Sequence, residues 1–209
     1  GGGARASSCI RAFEDAALDQ LERLGVATFA LRPDSYEGAL ESIRVLGHAL
    51  GAEPAARRLV DGIRDRVART RERLAGRGRP SVLYLIWGDP PIAAGAGSYL
   101  YDLLALAGGR GVAWERPVPY PRVSWEQIIG RAPEVILRAD HREGAAQSEP
   151  VREVPPEWAR WRAVPAIRAG RVLSVPGDTI LRPGPRIGEG VSLLARAIHP
   201  SAFDGAEAR

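Results

Sequence analysis

Residues 54–75, PAARRLVDGIRDRVARTRERLA, limit what this chain can fold into more than any other stretch. Leu59, Val60, Ile63, Val67 and Leu74 recur at helical spacing, with arginines and acids on the other faces. Pro54 suits a first turn, where its missing N–H costs nothing. Gly76, Gly78 and Pro80 then supply a stop. Such a helix would run roughly 33 Å, the width of a small domain. It lies between a short α/β segment and a longer one with its own strands. A helix placed this way is expected to act as a strut rather than as a linker.

Ahead of it, Leu21 and Leu24 continue an amphipathic pattern that begins at Phe13 and ends at Gly25. The β-rich run at 26–31, VATFAL, predicts a buried strand. Ser35 opens another helix carrying Leu40, Ile43, Leu46 and Leu50, with Gly47 and Gly51 loosening its end. One strand between two helices is too little for an independent core. That strand is therefore expected to join a sheet elsewhere, or in upstream residues outside this sequence.

Strand and helix alternate after the long helix. Strands are predicted at 81–87, 112–114, 134–137 and 171–175, and helices at 99–107, at a short stretch after Ser124, in part of 158–169, and at 187–198. Ser98 and Ser124 are placed as N-caps, and Ser124 to Gln127 has the form of a capping box. Loops are expected over 88–97, 116–122, 139–156 and 177–185, with a frayed tail over 201–209. This alternation predicts an open, mostly parallel α/β sheet, whose ligands bind at the carboxyl ends of the strands.

Composition narrows the function. The chain has 209 residues, 45% hydrophobic and 26% charged, and carries +4 overall. All the positive charge is arginine, spread among acids without a long block of one sign, which argues against nucleic acid. No apolar run approaches the ~20 residues that span a bilayer. Methionine is absent even at position 1, so the sequence reads as processed, trimmed or a fragment. Cys9 stands alone, which rules out an internal disulfide, and it is read as a plain small residue. His48, His141 and His199 lack metal-ligand spacing.

The strand-end loops carry Trp87, Tyr99, Trp114, Tyr120 and Arg182. Aromatics among prolines make a stiff apolar wall suited to a ligand. Trp114 is expected to pack in the core, whereas Tyr120, between two prolines, is expected to face a ligand. Gly95-Ala96-Gly97 resembles the start of a dinucleotide fingerprint, with Glu115 twenty residues on. Leu100 replaces the third glycine, however, and the preceding strand ends too early for the turn. No nucleophile elbow or Walker loop is present. Glu126, in the first turn of a short helix, reads equally as a dipole-stabilised cap and as a surface acid for a partner's arginine.

From Ser81 onward the sequence resembles the periplasmic substrate-binding proteins for cobalamin, iron-siderophores and haem. The matching segments are SVLYLIWGDP, SYLYDLLALAGG with the following V-x-W, VSWEQIIGRAPEVIL, WARWRAVPAIRAGRVLSVPGD and RPGPRIGEGVSLLARAIHP. LGVATFALRPDSYEGALESIRVLGHALG resembles the end of that family's first lobe, and the long helix its rigid bridge. The resemblance implies two α/β lobes: a first-lobe remnant over 1–52, a bridging helix over 53–76, a second lobe with an open, mostly parallel sheet over 80–200, and a tail over 201–209.

It also implies a binder rather than an enzyme, delivering a corrinoid or similar metal chelate to an ABC permease. Tyr120 falls on a ligand-stacking aromatic, Trp87 and Arg182 on pocket loops, and Glu126 on the second-lobe glutamate that pairs with permease arginines; Tyr99, among the strand-end aromatics, is a further ligand-binding candidate. The protein would need no cofactor of its own, because the ligand carries its cobalt or iron. The location would be periplasmic or otherwise extracytoplasmic, with any membrane anchor on a segment outside this sequence. Siderophore or haem binding is the nearest alternative. A nucleotide- or sugar-using α/β enzyme is the alternative of another class. The family's first lobe begins with further strands, a ligand aromatic and a first-lobe glutamate that have no counterpart in this sequence.

Overall fold

A computed structural model describes residues 16–31, 33–112, 114, 118–140 and 149–204. Cys9, Phe13, Glu115 and His141 fall outside the described residues, as does the end of the tail. The architecture is mixed α/β, built on a mostly parallel sheet. After a helix over residues 16–23 (α1) come α2 (Tyr36–Ala49) and α3 (Glu53–Arg73). The remaining elements are β1 (Ser81–Gly88), β2 (Pro91–Ala93), α4 (Tyr99–Leu106), β3 (Arg110–Gly111), α5 (Trp125–Arg131), β4 (Val135–Asp140), β5 (Val151–Arg152), a 3-10 helix (Pro156–Trp161), α6 (Pro165–Arg168), β6 (Val172–Pro176), α7 (Gly177–Ile180), α8 (Ile187–Ile198) and a 3-10 turn (Pro200–Ala202).

The sheet runs in the order β2-β1-β4-β6-β5, with β3 sharing with β2 the outer edge of β1. β1 is parallel to β3 and β4, and β4 to β6, whereas the two short edge strands β2 and β5 are antiparallel. The apolar stretches of the central strands, residues 82–85, 135–137 and 172–173, are buried on both faces. Val82, Tyr84, Val135, Leu137, Leu173 and Val175 pack with α2, α3, α4 and α8. Leu83, Leu85, Ile136 and Val172 pack with α5, α6 and the first 3-10 helix. Ser81 and Glu134 fix the start of the β1–β4 pair: the Ser81 amide donates to Glu134 Oε2 at 2.7 Å, and the Glu134 amide donates to Ser81 Oγ at 3.1 Å.

Two expectations need correction. The run at 26–31 joins no sheet among the described residues, and Phe29 in it is largely exposed. A strand is stabilised by a partner's backbone groups, and no described strand pairs with this run. Gly47 does not loosen the end of α2. A Cβ there would sit 2.3 Å from the Ala56 Cβ, so this glycine lets α2 and α3 cross closely. Gly51, with φ of +63°, is the left-handed residue that ends the helix.

Some loops contain more structure than their composition suggests. The first strand-end loop doubles back as β2, β4 runs on to Asp140, and the loop after β6 begins with α7. α3 is not a free strut along its length. Ala56, Val60, Ile63 and Val67 bury one face of it in the cluster that holds α2 and α8. α2 joins the same cluster, and the Tyr36 amide at its start donates to Asp102 Oδ2 on α4 at 3.1 Å.

The close α2–α3 crossing predicts that Gly47→Ala costs about 1–3 kcal/mol through overpacking. Urea unfolding of the two proteins measures this, and an unchanged midpoint would contradict the crossing.

Candidate functional site

The carboxyl ends of β1, β4 and β6 lie at one end of the sheet, where Trp87 closes β1 and Arg182 follows β6 and α7. β1 emerges from the core at Trp87, which is 54% exposed and donates its indole N–H to the Asp89 carbonyl at 3.1 Å. The chain then turns back as β2, which pairs Trp87 with Ile92. The proline-rich loop lies on the far side of β2. Pro119 and Pro121 have no N–H to give, so they bind through their carbonyls. Gly95 N–H donates to Pro119 at 2.9 Å and Ala93 N–H to Pro121 at 3.0 Å. The Val123 N–H returns a bond to Pro91, and Ile92 bridges to Arg122. A Cβ on Gly95 would stand 2.2 Å from the Val118 carbonyl, so only glycine permits this contact.

Tyr120 is held between those two carbonyls and lies half-buried against the core. Trp87, β2 and the Tyr120 loop thus form three adjoining ribbons at the end of β1.

Tyr99 is placed differently. It is the first residue of α4 and only 2% exposed, and its hydroxyl donates to the Ile180 carbonyl at 3.0 Å. It ties α4 to α7, so it braces two strand-end loops instead of presenting a surface to a ligand. Burial, then the neighbouring Tyr120, push its phenol well above the ordinary range. Burial and then Tyr99 do the same to Tyr84, whose hydroxyl has no partner among the described residues.

Arg182 follows α7 and is exposed, with its guanidinium 3.3 Å from Asp178 Oδ1. An exposed pair of this kind is weak enough for an anionic ligand group to displace. Asp140, at the end of β4 and 9% exposed, was not singled out from the sequence, although an acid closing the run VILRAD is unusual in a strand. It aligns with Pro176 beside the start of α7.

Glu126 stands apart from these residues, exposed on α5, whose Ile128 packs into the opposite face of the sheet. The capping box is present: Ser124 Oγ accepts from the Gln127 amide at 3.3 Å, and Gln127 Oε1 accepts from the Ser124 amide at 2.9 Å. A hydrogen bond from Ser124, and then Glu126's own backbone N–H, hold the Glu126 carboxyl below its usual range. Beside it, Trp125 stacks on Trp161 at 3.5 Å and meets Trp158 edge-on at 4.7 Å, and Arg160 covers Trp161 at 4.3 Å. Of this cluster the sequence reading placed only Trp125, expected near the cleft; it packs instead against the core under α5, and the i, i+3 tryptophans of WARW signal the shared face. Trp114 packs against the same core, as expected. Among the described residues no cluster of three or more His, Cys, Asp or Glu could hold a metal, and no helix is long and apolar enough to cross a membrane.

The profile of the family described as "Periplasmic binding protein" matches residues 9–179. A vitamin B12-binding protein of Photorhabdus laumondii is 28% identical over 171 residues, which cover 81% of this chain and 58% of that protein. An uncharacterised ABC transporter substrate-binding lipoprotein of Bacillus subtilis, YvrC, is 26% identical over 192 residues, covering 90% of this chain and 58% of that protein. The solved structure of the periplasmic haem-binding protein RhuT from Roseiflexus superposes with a TM-score of 0.69 at 26% identity, covering 88% of this chain and 71% of that one. The chain thus spans under three fifths of the length of the two curated relatives.

The Glu126 geometry predicts that its carboxyl titrates below the ordinary glutamate range and that Ser124→Ala moves it back up. Because the folded value is depressed, the associated stability is present above the unfolded pKa and is lost as pH falls through the folded one. Carboxyl-carbon NMR of both proteins measures the shift, and identical titrations would contradict the Ser124 contact.

Proposed function

This chain belongs to the periplasmic binding protein family, and on that premise we propose that it is a solute-binding component of an ABC importer, capturing a corrinoid or similar metal chelate outside the cytoplasm. The observation that carries this reading is the pinned ribbon at the end of β1, with exposed Trp87 on one side and Tyr120 between its two fixed carbonyls on the other. Aromatic surfaces on stiff, proline-bounded backbone lose little entropy when a large flat ligand is buried. Recognition is by shape and apolar contact, with Arg182 free to exchange Asp178 for a ligand carboxylate or phosphate. The ligand brings its own metal. The likeness to the P. laumondii vitamin B12-binding protein supports the corrinoid.

In the same reading, α3 bridges this sheet to a first lobe of which residues 1–52 are the final part, and Glu126 docks on a permease arginine. The depressed carboxyl keeps that charge at any physiological pH, and the tryptophan stack beneath α5 holds its start in place. The likeness to YvrC supports an ABC permease as the partner. Haem is the second reading, favoured by the likeness to RhuT. Tyr120 would then be the candidate axial ligand, since the Tyr99 hydroxyl is committed to Ile180.

Isothermal titration of the purified chain with cyanocobalamin, haemin and a ferric siderophore tests the binder and names its class. One of the three is expected to bind saturably, and Trp87→Ala and Tyr120→Ala each to weaken it roughly tenfold, the equivalent of about 1.4 kcal/mol. Failure of all three to bind, or an affinity indifferent to both substitutions, would overturn the site. For the partner, Glu126→Ala is expected to leave ligand affinity within about twofold while abolishing co-purification with the cognate permease in detergent; retained co-purification would contradict the docking role.

A further inference from the structure

The face of α3 that packs on α8 carries a second constellation, remote from the strand-end loops and independent of the reading above. The two helices approach closely where a Cβ on Gly188 would meet the Ile63 carbonyl at 3.3 Å. Further along, Thr70 Oγ1 and Ser192 Oγ lie 3.0 Å apart, and each lies 3.0 Å from a carbonyl of its own helix, so two hydroxyl protons serve three contacts. Over these hydroxyls opens a groove of about 310 Å³. Arg66, Arg69 and Arg73 line it from α3, at spacings that put them on one helical face, and Arg196 lines it from α8. Glu189 is the single carboxylate of the lining.

The groove gathers more positive than negative charge. Among the described residues, Arg66, Arg69 and Arg73 make no ion pair. Arg73 rests over the Phe203 ring, 5.6 Å from its centre. Arg196 reaches Glu149 with Nη2 at 3.3 Å, but its Nε–H is buried without a partner among the described residues. Gathering four guanidiniums around a cleft stores like-charge repulsion, and a buried N–H donor left unbonded adds to the cost. A bound anion relieves both. Guanidinium forks match the paired oxygens of phosphate, and a diphosphate-sized group can reach several of them at once.

We propose that the α3–α8 groove is a binding site for a phosphate-class oxyanion, either a free diphosphate or the headgroup of an anionic phospholipid. The test has two arms at fixed ionic strength. The purified chain is titrated calorimetrically with inorganic pyrophosphate, and it is sedimented with vesicles of phosphatidylglycerol in phosphatidylcholine or of phosphatidylcholine alone. Saturable pyrophosphate binding assigns a free anion, whereas sedimentation with phosphatidylglycerol vesicles alone assigns the headgroup.

In either arm, the double variant Arg69→Ala, Arg73→Ala is expected to weaken binding at least tenfold. Arg57→Ala, Arg58→Ala, on the same helix outside the groove, is expected to change it less than twofold. Should the first double variant lose its far-ultraviolet circular dichroism, the single Arg69→Gln exchange serves, with a loss of at least threefold expected. Binding in neither arm, or equal weakening by both double variants, would overturn the proposal.

Discussion

Burial of β1, β4 and β6 on both faces is the constraint on which the rest of this structure depends. The apolar side chains along the middle of these strands are committed to one of two layers, which leaves little there for chemistry. The candidate site residues accordingly lie at the strand ends, where β1 surfaces at Trp87 and β4 closes on the buried Asp140. The register that sets where each strand surfaces is fixed at the other end by the reciprocal bonds between Ser81 and Glu134. A slip there would carry Trp87 into the core or draw Leu85 out of it.

The loops at the strand ends gain precision from backbone pairing rather than from side-chain packing. Prolines that cannot donate still accept, and β2 offers the donors. A segment that composition marks as irregular is therefore as closely defined as a strand. Tyr99 adds a brace from below, joining α4 to α7 through one buried hydrogen bond. The result is a rigid rim with exposed aromatic surface, the arrangement that loses least freedom when a large ligand settles on it.

Much of the fold was legible in the sequence where pattern and chemistry agree. The last helix occupies Ile187–Ile198 as its periodicity indicated, and Ser98 and Ser124 cap the helices they precede. The strand expected at 26–31 did not form, because a β-rich run states only a preference and pairing depends on a partner elsewhere. The edge strands β2 and β5 were missed because three-residue and two-residue strands carry no period, and Pro91 argues against one of them. Tyr99 was read as a loop aromatic. The helix start with its Ser98 cap was read correctly, but a first-turn position also places Tyr99 with Leu100, Leu103 and Leu104 on the buried face, which the ligand reading overlooked. The tryptophan stack beside Glu126 joins residues more than thirty positions apart, and no local pattern reports such a meeting.

The central claim is that the ribbon at the end of β1 is where ligand settles. Hydrogen exchange of the backbone amides, followed by mass spectrometry with and without the chelate that binds, addresses it most directly. The account predicts slowed exchange confined to the peptides covering 85–97 and 118–124, with those covering 66–73 and 189–196 unchanged. Protection centred on the α3–α8 face, or spread evenly over the chain, would contradict it.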